Sequence, residues 1–85
     1  MVELNRAVAV AMAEGPERGL GLLDRPELAA LLAGYQHYHA ARADLLRRSG
    51  RRDEAAAAYA RALDLCQNLA ERRFLQRRLA ETAAP

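Results

Sequence analysis

Apolar residues recur at every third or fourth position along most of this chain and nowhere alternate over the length of a strand. That periodicity predicts helices throughout and no sheet. Between Val2 and Glu14, Leu4, Ala7, Val8 and Ala11 form the stripe of an amphipathic helix. Gly15 suits its C-cap, and Pro16 suits the first turn of a short second helix running to Leu23 with Leu20, Leu22 and Leu23. Pro26 opens a further helical run, and Gly34 breaks it. From Tyr35 to Arg48 the stripe is Tyr35, Tyr38, Leu45 and Leu46, with His39 and Arg42 set into the same face. Ser49 and Gly50 end this helix, and Asp53 is expected to cap the next, whose buried edge reads Ala55, Ala58, Tyr59, Ala62, Leu63 and Cys66. Asn68 followed by Glu71 is a capping-box pattern for a last helix through Phe74, Leu75 and Leu79, fraying at Ala83, Ala84 and Pro85.

The expected fold class is therefore all-α, a stack of antiparallel helices joined by short turns. Its turns repeat: Gly15 and Gly50 lie 35 residues apart, each closing one helix and introducing another. Helix–turn–helix units of about 34 residues are the tetratricopeptide (TPR) period. Gly50, Ala55, Tyr59, Ala62 and Leu63 follow its order of glycine, small, large, small and large residues. Gly19 and Leu23 fill the first small and large places of the earlier unit only after a one-residue deletion, and Pro26 replaces the second alanine. The chain thus divides into repeat one (about 2–24), a connector (25–34), repeat two (about 35–66) and a C-terminal capping helix (about 68–82) with Arg73 and Arg77 facing solvent.

Composition narrows the function more than the fold. Eighty-five residues make one small domain, and with 52% hydrophobic but only 5% aromatic residues alanine must supply much of the packing. All thirteen basic residues are arginine, and the net charge of +2 is too small to indicate nucleic-acid binding. A lone Cys66 allows no internal disulfide and no cysteine zinc site. No apolar run approaches the roughly 20 residues of a membrane span, and the N-terminus has no signal-peptide pattern.

Catalytic constellations are missing from the pattern. The one serine, Ser49, lies in a turn without a nucleophile-elbow context. His37 and His39 sit two residues apart on a helix, pointing about 200° from each other, and cannot clamp one metal. The glycines at 15, 19 and 21 follow no strand and precede no lysine, so they are no phosphate loop. These readings lead to a protein that is not an enzyme and needs no cofactor or metal. Arg42 stands out as a charge on a buried stripe, which calls for a partner. Asp24, Glu3 or Glu71 is the structural choice, and a carboxylate of a bound partner is the functional one. Between positions 42 and 78 ten arginines face five acids, which makes this half basic. Solvated helix faces account for most of that excess, with an acidic protein partner or a nucleic-acid backbone as the alternatives.

Three stretches carry a more specific likeness: LNRAVAVAMAEGPERGLGLLD (4–24), AGYQHYHAARADLLRRSGRRDEAAAAYARALDL (33–65) and NLAERRFLQRRLAE (68–81). Together they resemble the C-terminal extension of bacterial extracytoplasmic-function (ECF) RNA polymerase sigma factors, which carry a TPR-like domain after their promoter-binding regions. The resemblance implies a cytoplasmic transcription regulator of which these residues are a fragment. It also implies partners in the sigma-factor regions of the same full-length chain or in core RNA polymerase. Since the promoter-reading modules are not in this sequence, no sequence-specific DNA binding by this fragment is expected. Where the family pattern has Leu before the glycine of the turn, this chain has Ser49.

In the register set by Tyr59, the candidate groove is lined by Asn5, Arg6, Ala9 and Met12 from repeat one, with His37, Ala41, Asp44, Arg47 and Arg48 from repeat two. Such a mixture accepts a helix or an extended peptide of acidic character. It lacks the Lys/Asn set that TPR clamps use for a C-terminal carboxylate. Two other readings are a small-molecule sensor with its pocket near Tyr35, Tyr38, His39 and Arg42, and a scaffold that forms a homodimer through the apolar ends of the short array.

Overall fold

A computed structural model of the protein describes residues 2–83. They are all-α: α1 (Val2–Glu14), α2 (Pro16–Leu23), α3 (Pro26–Leu32), α4 (Gln36–Arg48), α5 (Arg52–Leu65) and α6 (Leu69–Ala83). Of the three residues expected to fray, Ala83 is instead the last residue of α6, and Ala84 and Pro85 fall outside the described residues. Glycine and proline set the helix ends. Gly15 at φ 101° and Gly50 at φ 80° turn the chain in a conformation that costs other residues a Cβ clash. Pro16 and Pro26 then start α2 and α3, where a missing N–H costs nothing.

Two of the expected caps change. α5 begins at Arg52 after Arg51, with no side-chain cap, so Asp53 is not the N-cap. The single-residue reversal at Gly50 brings the helix in earlier, and Asp53 and Glu54 fall inside its first turn, where their charge suits the positive helix end. At α6 the capping box closes on one side only. The Asn68 Oδ1 accepts the Glu71 N–H at 3.0 Å, while the Glu71 carboxylate turns outward to accept from Gln36 Nε2 at 3.0 Å.

Each helix packs against its neighbour in the chain within the pairs α1–α2, α4–α5 and α5–α6, and α2 packs on α4 to join the two halves. The small residues sit on these seams: Ala7, Ala11, Ala43, Ala55, Ala58 and Ala62 are all buried. Leu23, Leu32, Leu46, Leu75 and Tyr59 fill the space between them. Burying each of these larger side chains contributes on the order of 1.5–3 kcal/mol. Val8 and Tyr35, placed on buried stripes by periodicity, are instead 36% and 38% exposed, and Leu63 is half-buried. The α1 stripe is narrower than its sequence suggests because only Leu4, Ala7 and Ala11 meet α2 and α4.

The tightest point is Gly19 on α2. A Cβ there would lie 2.6 Å from the Ala11 Cβ, 2.8 Å from the Ala7 carbonyl oxygen and 3.0 Å from Leu45 Cδ1. Gly21, one residue beyond its neighbour on the same helix, faces open space. The two glycines should therefore respond to alanine with opposite signs. Gly19→Ala should destabilise the fold by about 1–3 kcal/mol through overpacking. Gly21→Ala should stabilise it by about 0.5–1 kcal/mol through helix propensity. Urea denaturation of the two variants beside the parent protein checks both.

Candidate functional site

Polar side chains hold the seams that alanine leaves shallow. Where α2 meets α4, the Tyr38 hydroxyl donates to the Leu23 carbonyl at 2.9 Å and is buried. Desolvation is the main reason its pKa stands above 10.0, with the Asp24 charge adding to the rise and Arg42 opposing it. Arg42 Nε donates to Asp24 Oδ1 at 2.7 Å, so Asp24 is the acid that answers this arginine. His39 Nε2 donates to the Ala33 carbonyl at 2.7 Å, tying the end of α3 to α4. The cleft lined by Asp24, Ala29, Ala33, Tyr38, His39 and Arg42 is thus bordered by groups that, Ala29 aside, each make a contact joining α4 to the segment before it.

At the far end of the molecule arginines cap helix carbonyls. Arg72 Nη1 donates to Leu63 and Cys66 oxygens at 2.8 and 3.1 Å, closing the C-terminus of α5. Arg52 Nε and Nη2 donate to Thr82 and Glu81 carbonyls at 3.1 and 3.3 Å, closing that of α6. Cationic groups at helix C-termini oppose the negative end of the dipole as well as satisfying orphan carbonyls. These contacts also fix direction: α5 runs antiparallel to α6, so α6 runs parallel to α4.

Both α4 and α6 lean on α5, and between them a seam stays open. At its start, a cleft of about 290 Å³ is lined by Gln36, His37, Ala40, Ala70, Glu71, Phe74 and Leu75. The Gln36–Glu71 hydrogen bond borders it, and His37 Nε2 stands 3.9 Å from the same carboxylate. Phe74 is 49% exposed, and the Arg78 guanidinium lies 5.4 Å from its ring centroid. At the other end of the seam, a second cleft of about 310 Å³ is lined by Arg47, Gly50, Arg52, Arg78, Glu81 and Thr82. Eleven residues of α4 separate Gln36 from Arg47, a span of about 16 Å along the helix axis.

The structure does not gather the sequence-derived candidates into one groove. His37 and Arg47 both border the α4–α6 seam, in its two separate clefts. Asp44 pairs with Arg47 and, at 3.7 Å, with Arg48, which is exposed. Arg47 also donates through Nε to the Tyr59 hydroxyl at 3.4 Å, and that bond, followed by the one to Asp44, keeps its pKa raised. Arg47 is thus a strut as much as a groove residue. Arg6 belongs elsewhere, in a cleft of about 320 Å³ with Glu3, Leu22, Arg25, Glu27, Leu28 and Leu31. Asn5 and Met12 are exposed on α1 and border neither of these clefts.

Sequence reasoning did not single out Gln36, Phe74, Arg78 or Thr82 as lining residues, because which side chains border a cleft depends on how the helices are rotated against one another. Gln36 and Glu71, which meet in a hydrogen bond, are 35 residues apart, the same spacing as Gly15 and Gly50.

Among the described residues no three His, Cys, Asp or Glu side chains gather into a metal site, and no helix is long and apolar enough to cross a membrane. No family model matches the chain, and no solved structure matches it. An uncharacterized protein of Rhizobium meliloti (strain 1021) is 42% identical over 84 residues. That alignment takes in 99% of this chain but 19% of the relative, so the chain spans about a fifth of that curated protein's length.

Tyr38 gives the sharpest stability test of the inter-hairpin contacts. Tyr38→Phe leaves the buried Leu23 carbonyl without its donor and should cost about 1 kcal/mol at neutral pH. Because the folded-state pKa is raised, the stability linked to this phenol is present in full below its unfolded pKa and is lost as pH rises through the folded value. Urea denaturation at neutral and strongly alkaline pH should therefore show a smaller alkaline loss in Tyr38→Phe than in the parent protein.

Proposed function

We propose that this chain is a TPR-like protein-interaction module, the regulatory C-terminal part of an ECF-type sigma factor, acting in the cytoplasm on the sigma regions of the same polypeptide or on core RNA polymerase. It binds rather than catalyses, and reads no promoter sequence itself. The observation that carries this reading is the open seam between the parallel helices α4 and α6. Phe74, half-exposed and lining the same cleft as Ala40, Ala70 and the buried Leu75, is an aromatic anchor there. A recognition groove between helices needs such an anchor with polar groups at its rim.

Two further observations support it. The 35-residue offset that joins Gly15 to Gly50 recurs in the Gln36–Glu71 contact, as repeating hairpins require. The Rhizobium relative carries its matching segment within a chain about five times as long, the arrangement expected of a domain that works on other parts of its own polypeptide. That relative is uncharacterized, so the function rests on the seam and on the sequence likeness.

The reading is tested by calorimetric titration of the domain with purified sigma regions and, separately, with core RNA polymerase. Saturable binding to one of them is expected, with Phe74→Ala weakening it by at least about tenfold, roughly 1.4 kcal/mol, while the thermal midpoint stays close to that of the parent. Heat changes indistinguishable from dilution with both partners would reject it.

A further inference from the structure

The cleft of about 320 Å³ where α1, α2 and α3 come together is lined by three leucines. Leu22 and Leu28 are half-buried, and Leu31, at 74%, is the most exposed large apolar side chain among the described residues. Four exposed charges border them: Glu3 and Arg6 on α1, Arg25 just before α3 and Glu27 in its first turn. None of these four side chains makes an ion pair or a hydrogen bond among the described residues. Elsewhere exposed arginines close on nearby acids, as in Arg51–Glu54 and Arg78–Glu81. A second cleft, of about 470 Å³, shares Arg6, Leu22 and Arg25 with the first and carries the groove along α1 and α2 past Gly21. There Glu14 and Arg18 pair at 3.4 Å beside Glu17, so acids and arginines are interleaved along its whole length. Gly21 sits about 200° round the helix from Gly19, with nothing within 4 Å of where a Cβ would stand. Glycine weakens a helix, and no internal contact requires it at this position. Its place on the groove suits close approach by a backbone from outside.

We infer that this groove is a self-association surface whose occupant is a second copy of the chain. In an isologous contact one patch serves both partners, so it must carry knob beside hole and acid beside base. Leu31 is the knob, and the cleft it borders with Leu22 and Leu28 is the hole. Two acids and two arginines around that cleft let a two-fold axis set each sign of one copy against the opposite sign of the other. A rim of one sign would repel its own copy. The same balance argues against an acidic partner, which the arginine-rich half between positions 42 and 78 attracts instead. Gly21, without a side chain, lets α2 of one copy lie close to the backbone of the other. Two adjoining clefts make a patch at the small end of the interface range, so the dimer is a weak one, with a Kd on the order of 100 μM. The groove shares no lining residue with the two clefts of the α4–α6 seam, so self-association is independent of any sigma region or polymerase.

Sedimentation equilibrium of the protein alone, from about 10 μM to about 1 mM, tests this. A monomer–dimer equilibrium is expected, and Leu31→Gln and Gly21→Gln should each weaken it at least about tenfold while the helical circular dichroism of the dilute protein is unchanged. Arg6→Glu with Arg25→Glu gives the first cleft a rim of acids alone, and Glu3→Arg with Glu27→Arg a rim of arginines alone. Each double variant should be monomeric by itself, and an equimolar mixture of the two should associate at least as tightly as the parent. Should a charge variant fail to fold, Leu31→Gln and Gly21→Gln decide alone. A monomer at every concentration, a dimer that Leu31→Gln or Gly21→Gln leaves intact, or folded charge variants that stay apart when mixed would each overturn the surface. Dimerisation as described, with sigma regions and polymerase both failing to bind, would reject the proposed partners and leave the surface standing.

Discussion

Gly19 stands where three helices meet, and the rest of the packing depends on its missing side chain. The α2 backbone there approaches Ala7 and Ala11 of α1 on one side and Leu45 of α4 on another so closely that a Cβ has no room. That approach lets one short helix of eight residues join both halves of the molecule and puts Leu20 and Leu23 at the centre of the core. Interiors are packed near crystal density, so a clash at such a junction cannot be absorbed locally. It would spread to the α2–α4 seam and its hydrogen bonds.

Close approach through alanine and glycine buries little area per residue, which leaves a role for directional contacts. Tyr38 on the Leu23 carbonyl, Arg42 on Asp24, Arg72 on the end of α5 and Arg52 on the end of α6 each span two elements. Arginine suits this work, because its planar fork satisfies several carbonyls at once and it stays charged at any physiological pH. Much of the basic excess in the second half is consumed inside the fold or by adjacent acids, as in the Arg51–Glu54 pair. The arginine surplus is therefore mainly an architectural property, and the seam between α4 and α6 is where part of it meets solvent.

That seam exists because α4 and α6 share a supporting helix without packing tightly on each other. α5 presents Ala55, Ala58 and Ala62 with Tyr59 as its buried set, which draws in both neighbours and holds them parallel. Their facing edges then display Gln36, His37, Phe74 and Arg78 along one open line.

Local signals in the sequence determined the helices and their ends. Glycine at 15 and 50 and proline at 16 and 26 constrain φ within the residue itself, so the boundaries of α1 and α2 are legible without a fold. The small and large places at Gly19, Leu23, Ala55 and Tyr59 were legible too, since sterics at a helix crossing depend on residue size. Tertiary structure alone chose Asp24 for Arg42, sent Arg6 to a different cleft from His37, moved the start of α5 ahead of Asp53 and turned Phe74 toward α4. Those outcomes depend on the rotation of each helix about its axis and on the angle at which hairpins cross. A few residues of phase, invisible in a periodic pattern, decide which long side chains meet.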